Sequence, residues 1–140
     1  MSKHFVLPAE IVIQNEDFED SYIRIYGIIA ENITQAKAVL NQHLLSACTQ
    51  AIFDLPDVDF SLDLVDLVKS LHHRDDACDA CVFIHIYADD EGVDVVKLIH
   101  VETDDNIGIE KFILIDAPVE EITAHEWGIL NKFESIYVAT

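Results

Sequence analysis

The chain has 140 residues, 51% of them apolar, which suits one domain with a substantial core and leaves no room for two. Its 27 acidic residues against 8 basic ones give a net charge of −19, and protonating all seven histidines would still leave −12. That balance excludes an unassisted nucleic-acid binder, because each phosphate contact calls for Lys or Arg, and it disfavours docking on an anionic membrane. The charge is unevenly spread: residues 1–53 carry six acids and three bases, net −3, whereas residues 54–140 carry 21 acids and five bases, net −16.

Residues 5–13 and 22–30 are rich in β-branched and aromatic side chains and flank the polar stretch 14–21, so they read as a hairpin with a long loop. Pro8 suggests that the first strand lies at a sheet edge or begins after it. Asn32 opens a helix, with Gln35 three residues on as a capping box requires. Ile33, Ala36, Leu40, Leu44, Ala47 and Ala51 share one helical face, and Pro56 ends the segment.

Residues 57–72 carry both periodicities. Val58, Phe60, Leu62 and Leu64 alternate as in a strand, whereas Leu64, Leu67, Val68 and Leu71 have helical spacing; a helix starting near Asp59 or Ser61 is the favoured reading. Residues 72–80 read as a loop. The runs 81–88 and 93–101, separated by an acidic turn ending in Gly92, predict a β-hairpin. A strand at 111–116 follows, and Asp116 with Pro118 marks a helix start. Ile122, His125, Ile129 and Phe133 would form that helix's apolar side, with Gly128 weakening its middle. Residues 136–139 predict a last strand. The economical fold is one α+β domain over 1–140 in the order ββααβββαβ, a mainly antiparallel sheet with two to three helices packed on it.

The N-terminus lacks the apolar run of a signal peptide, and no stretch approaches 18 uncharged apolar residues. Three cysteines (Cys48, Cys78 and Cys81) do not make a disulfide framework, so a reducing, cytoplasmic setting is expected.

Carboxylates cluster at Asp57, Asp59, Asp63 and Asp66; at Asp75, Asp76 and Asp79; at Asp89, Asp90, Glu91 and Asp94; at Glu102, Asp104 and Asp105; and at Glu120 and Glu121. Side chains three or four apart on a helix stand about 5–6 Å from each other. Alternate strand residues stand roughly 6.6 Å apart. Both spacings are on the scale of successive phosphates in a nucleic-acid strand. A rigid fold displaying such rows could occupy the basic groove of a nucleic-acid-binding protein, with binding steered at long range and weakened by salt. The competing reading is a solvated face that only confers solubility.

The segment His72-His73-Arg74-Asp75-Asp76-Ala77-Cys78-Asp79-Ala80-Cys81 offers a different chemistry. His72, His73, Cys78 and Cys81 could ligate zinc. No second ligand pair follows downstream, and the Cys-x-x-Cys precedes a strand instead of opening a helix, which is the wrong context for a redox site. The acidic segments 57–66 and 89–94 lack a glycine at the position a calcium loop requires and its bidentate glutamate at the twelfth. His85 and His100 fall in one predicted hairpin and could form a metal or general-base site if they shared a face. His43 and His125, on helices beside apolar positions, are expected to be partly buried. Tyr22, Arg24 and Tyr26 alternate along the second strand and would share a face suited to binding. No nucleophile elbow or phosphate-cradling glycine loop is present.

In size, reducing context, α+β pattern and acidity the chain is similar to phage and mobile-element inhibitors that imitate nucleic acid, such as anti-restriction and anti-CRISPR proteins. It is similar also to acidic immunity proteins that block nuclease toxins. The resemblance is one of character, and it implies a non-enzymatic inhibitor with no cofactor, whose partner is a basic nucleic-acid-binding protein or nuclease complex. A small metal enzyme or redox protein, and a subunit of a larger assembly, are the alternatives.

Overall fold

The computed structural model describes residues 2–46, 51–77, 84–88, 92, 94–104 and 107–139. The chain begins with two long antiparallel strands, β1 (Lys3–Gln14) and β2 (Glu19–Ala30), paired along their whole length from Lys3↔Ala30 to Gln14↔Glu19. The loop between them is therefore only 15–18, shorter than the polarity of 14–21 suggests. The Asn15 side chain accepts from the backbone N–H groups of Asp17 and Phe18 and closes the turn locally. Helix α1 (Ile33–Ser46) follows. Asn32 Oδ1 accepts from Gln35 N–H at 2.8 Å, and Gln35 Oε1 reaches back to Glu31 N–H at 2.8 Å, one residue beyond the usual box. Ala47 of the expected apolar face lies outside the described residues, and Ala51 belongs to a single 3₁₀ turn, Ala51–Asp54.

Helix α2 (Leu64–His72) starts later than Asp59 or Ser61, because 57–63 is an irregular loop tied to α1. The Asn41 side chain, 1% exposed, donates to the carbonyls of Phe60 (2.9 Å) and Leu62 (2.7 Å), so those residues spend their backbone acceptors outside any helix. A short 3₁₀ turn covers Asp75–Ala77.

Strands β3 (Ile84–Ala88), β4 (Asp94–Asp104) and β5 (Ile107–Ile115) form an antiparallel meander. Gly92, at φ 82°, supplies the positive dihedral expected in the β3–β4 connection. Pro118 does not start a helix. Glu120–Ile122 is instead a short strand, β6, paired with His4–Val6 of β1, and this is the strand missing from the expected order. Helix α3 (Ala124–Lys132) begins after Thr123, where Thr123 Oγ1 accepts from Glu126 N–H and Glu126 Oε1 from Thr123 N–H, both at 3.0 Å. That capping box outcompetes the proline signal. The same bonds hold the Glu126 carboxyl below its usual range. The last strand, β7 (Ile136–Val138), runs parallel to β2.

The sheet order is β3-β4-β5-β1-β2-β7, with β6 pairing on β1 beside β5. Hence β1 is central, although it contains Pro8. Strand β6 covers residues 4–6 and β5 covers residues 10–14, so the residue without an N–H sits where that flank of β1 has no partner strand.

The register sets one sheet face. Phe5, Leu7, Ala9 and Ile11 of β1 lie level with Ile28, Tyr26, Arg24 and Tyr22 of β2; Ile11 continues the row into Ile113 of β5 and Leu98 of β4, and Ile115 lies level with Val96. Helices α1 and α2 bury this face with Leu40, Leu44, Leu45, Leu67 and Leu71. On the opposite face α3 makes a smaller contact, through Trp127 against the His4 ring (5.0 Å between centroids) and over Gly27. No α3 residue is fully buried: Ile129 and Phe133 are exposed, Ile122 belongs to β6, and His125 is exposed instead of partly buried. Among the described residues no helix is long and apolar enough to cross a membrane.

A Cβ on Gly27 would stand 2.5 Å from Ile136 Cγ2 and 2.7 Å from the Trp127 ring, whereas one on Gly128 would meet nothing within 4 Å. Chemical denaturation should therefore show opposite signs. Gly27→Ala should lose about 1–3 kcal/mol by overpacking, and Gly128→Ala should gain about 0.5–1 kcal/mol from helix propensity.

Candidate functional site

The sequence-predicted carboxylates separate into groups. Asp57, Asp59, Asp63, Asp66, Asp75 and Asp76 fall together with Asp54 on the connection into α2, on α2 itself and just beyond it, and all seven are exposed. Glu120 and Glu121 are consecutive residues of β6, level with Val6 and Phe5, so they face opposite sides of the sheet. Asp94 and Asp104 are the two ends of β4, ten residues or about 33 Å of strand apart, with Glu102 near the far end. Cys78, Asp79, Cys81, Asp89, Asp90, Glu91 and Asp105 lie outside the described residues.

Two cations hold the α2 group in place. Lys37 on α1 pairs with Asp63 at 2.7 Å. Arg74 reaches both oxygens of Asp76 (2.9 and 2.8 Å) and donates to the Pro56 carbonyl at 2.6 Å, joining the segment after α2 to the start of the loop that leads into it. The Arg74 guanidinium holds the Asp76 carboxyl below the usual range, and two bonds from Ser61 do the same for Asp59. Asp57, at φ 58°, occupies the left-handed region that Asp tolerates better than most residues.

Beside this group lies a cleft of about 240 Å³ between α1, α2 and the turn after β5. Its walls are mainly apolar: Leu7, Leu64, Val65, Ile115, Ala117, Pro118 and Val119. Three carboxylates, Asp63, Asp66 and Asp116, share it with Lys37 and Asn41. The sequence pattern places Asp116 at a helix start and so does not reveal it as a cleft residue. It also gave no role to Lys37 or Asn41. The usable signal was an acidic residue at the end of a buried strand followed by Ala-Pro, which marks a turn at the sheet rim as readily as a helix.

The second locus is on β2. Tyr22, Arg24 and Tyr26 do share a face, and Tyr137 of β7 joins them, a residue the alternation along one strand could not reveal. Arg24 donates to Tyr22 Oη at 3.0 Å and approaches Tyr26 Oη at 3.5 Å. Its guanidinium carbon lies 4.7 Å from the centre of the Tyr137 ring. His43 of α1 is half-buried, as expected, with its ring 5.7 Å from those of Tyr26 and Tyr137. Burial, and secondarily the Arg24 charge, push its pKa below 6.5. Burial likewise pushes the Tyr26 phenol up.

His72 and His73 are exposed at the end of α2. Among the described residues no group of three or more His, Cys, Asp or Glu is placed to hold a metal. His85 lies level with Lys97, and His100 with Lys111, so the hairpin sets the two histidines three register positions apart instead of opposite each other. No protein-family model matches the chain, and no curated protein and no solved structure shows significant similarity to it.

Two measurements check this geometry. Asn41→Ala leaves two inward-facing carbonyls without their donor and should cost about 1–3 kcal/mol in urea denaturation. For His43, a depressed native pKa means that the unfolded state binds the extra proton more readily. Its contribution to stability is therefore present above pH 6.5 and lost as the pH falls below that value. Arg24→Gln should move the His43 pKa, followed by NMR, part of the way back toward 6.5, since burial remains.

Proposed function

We propose that this chain is a non-enzymatic acidic binding protein that occupies the basic surface of a nucleic-acid-binding protein or nuclease complex and blocks it. The observation that supports this most directly is the cleft beside α2. An apolar wall with carboxylates at its rim suits a lysine or arginine side chain, whose stem is apolar and whose head is cationic. Asp66 and Asp116 would receive the head while Asp63 stays paired with Lys37. The other exposed carboxylates between Asp54 and Asp76 would extend the contact along a row of such cations.

The charge asymmetry supports the same reading. Residues 54–140 carry net −16, a field that speeds encounter with a basic groove and repels nucleic acid itself. A second reading, a subunit of a larger assembly, draws on apolar exposure at Ile23 and Ile29 of β2 and at Ile129 and Phe133 of α3. Sedimentation at high protein concentration separates a self-associating version of it: a monomer removes that version.

Affinity for the partner should fall steeply with salt. Asp66→Asn combined with Asp116→Asn should weaken binding at least about 30-fold, the lower end of the scale expected when one partner of a desolvated charge pair is removed. Glu120→Gln, on β6, should leave it nearly unchanged. Calorimetric titration against the captured partner at several salt concentrations measures all three. An affinity indifferent to salt and to the double substitution would overturn the proposal.

A further inference from the structure

Arg24 is anomalous in this protein. It is one of only eight Lys and Arg residues among 27 acids, it is half-buried, and among the described residues no carboxylate pairs with it. Its hydrogen-bond partners are two neutral phenols, and three tyrosine rings surround it. A partly buried guanidinium gains most from a carboxylate or phosphate partner, because hydrogen bonds between two opposite charges are stronger than those to a neutral acceptor. Two of its five N–H donors suffice for the phenols, which leaves its donor capacity in excess of what the fold uses.

The space beside it has the matching character. A recess of about 210 Å³ opens between the C-terminal part of α1 and the sheet, lined by Arg24, Lys111, His43, His100, Tyr26 and Tyr137. Thus two of the chain's eight permanent cations and two of its seven histidines line one small recess. Arg24 and Tyr137 also border a wider depression of about 450 Å³, but that one carries the Glu134 carboxylate, so the narrower recess is the one suited to an anion. The narrower volume is below the roughly 300–1,000 Å³ of pockets for drug-sized ligands, which sets an upper bound on what enters.

We propose that this recess binds a small organic anion, its phosphate or carboxylate head received by Arg24 with Lys111 and His100 alongside, and a flat ring laid against Tyr137. Planar recognition of such a head is the particular capacity of a guanidinium. Tyr137 is 48% exposed and lines the recess, so the part of its ring that Arg24 leaves uncovered can receive the ligand body. The protein's overall charge does not forbid this. Glu134 belongs to the neighbouring depression and not to the recess, the carboxylates around α2 are screened over about 8 Å at physiological ionic strength, and the guanidinium acts at hydrogen-bond range. Salt consequently affects this site differently from the α2 surface: moderate salt removes long-range repulsion and should spare or improve anion binding, while it weakens docking through the carboxylates. The two proposals can therefore fail separately.

The probes are phenyl phosphate, benzoate and, as the uncharged control, phenol, each titrated into the intact chain with the His43 imidazole signals followed by NMR. Saturable shifts with at least one of the two anions and none with phenol are expected, and the bound anion should raise the His43 pKa. Comparing phenyl phosphate with benzoate identifies the preferred head. Arg24→Gln, which keeps a donor toward the phenols and drops the charge, should weaken binding at least tenfold. If that variant does not fold, Lys111→Gln carries the test, with a smaller loss expected. The proposal is overturned if neither anion gives a saturable response, if phenol matches them, or if binding survives in the folded charge-removing variant.

Discussion

Everything else in this fold depends on one buried face of β1. Phe5, Leu7 and Ile11 are 2% exposed or less; Phe5 and Leu7 lie level with Ile28 and Tyr26 of β2, and Ile11 lies level with Ile113 of β5. Because side chains alternate on a strand, this single row fixes which face of the whole sheet the helices must cover. Leu40, Leu44 and Leu45 of α1 and Leu67 and Leu71 of α2 complete that layer, so the position of α2 follows from the alternation in β1. This apolar contact sets where the acidic surface lies, and Lys37 and Arg74 then fix individual carboxylates within it.

The charge is accommodated by geography. Apart from Asn41, the described core contains no buried polar or charged side chain, and the described carboxylates of the α2 region all face solvent. The few cations are placed where they organise structure: Lys37 joins α1 to Asp63, Arg74 ties together the ends of the α2 segment, and Lys3 lies 3.7 Å from Glu121. Each such exposed pair contributes little to stability. Their effect is to fix where the remaining negative charge points. Arg24 departs from this pattern by serving three tyrosines in place of an acid.

The layers were legible in the sequence wherever hydrophobic period and local capping agreed. The β1–β2 pair, the start of α1 at Asn32 and the β3–β4 hairpin with Gly92 follow from alternation, side-chain capping and turn chemistry. Departures arose where a long-range partner decided the outcome. Pro8 is tolerated in a central strand because β5 and β6 leave a gap beside it, which no local pattern encodes. Asp116-Ala-Pro118 opens a turn because β6 finds an edge on β1, and the Thr123–Glu126 box then starts α3. Residues 57–63 stay non-helical because Asn41, nineteen positions before Phe60, takes up their carbonyls. The candidate sites follow the same division. The acids around α2 and the Tyr-Arg-Tyr alternation are sequence features, while Asp116 in the cleft and Tyr137 over Arg24 come together only through the topology.

The central claim is that the carboxylate surface around α2 takes the place of nucleic acid on a basic partner. Its most direct measurement is competition. The partner captured from host lysate at low salt is loaded with labelled DNA or RNA, and this protein is titrated against the complex. The account predicts stoichiometric displacement of the nucleic acid by the native chain and a much weaker effect from the variant carrying Asp66→Asn and Asp116→Asn. A ternary complex in which the partner holds nucleic acid and this protein together would contradict it.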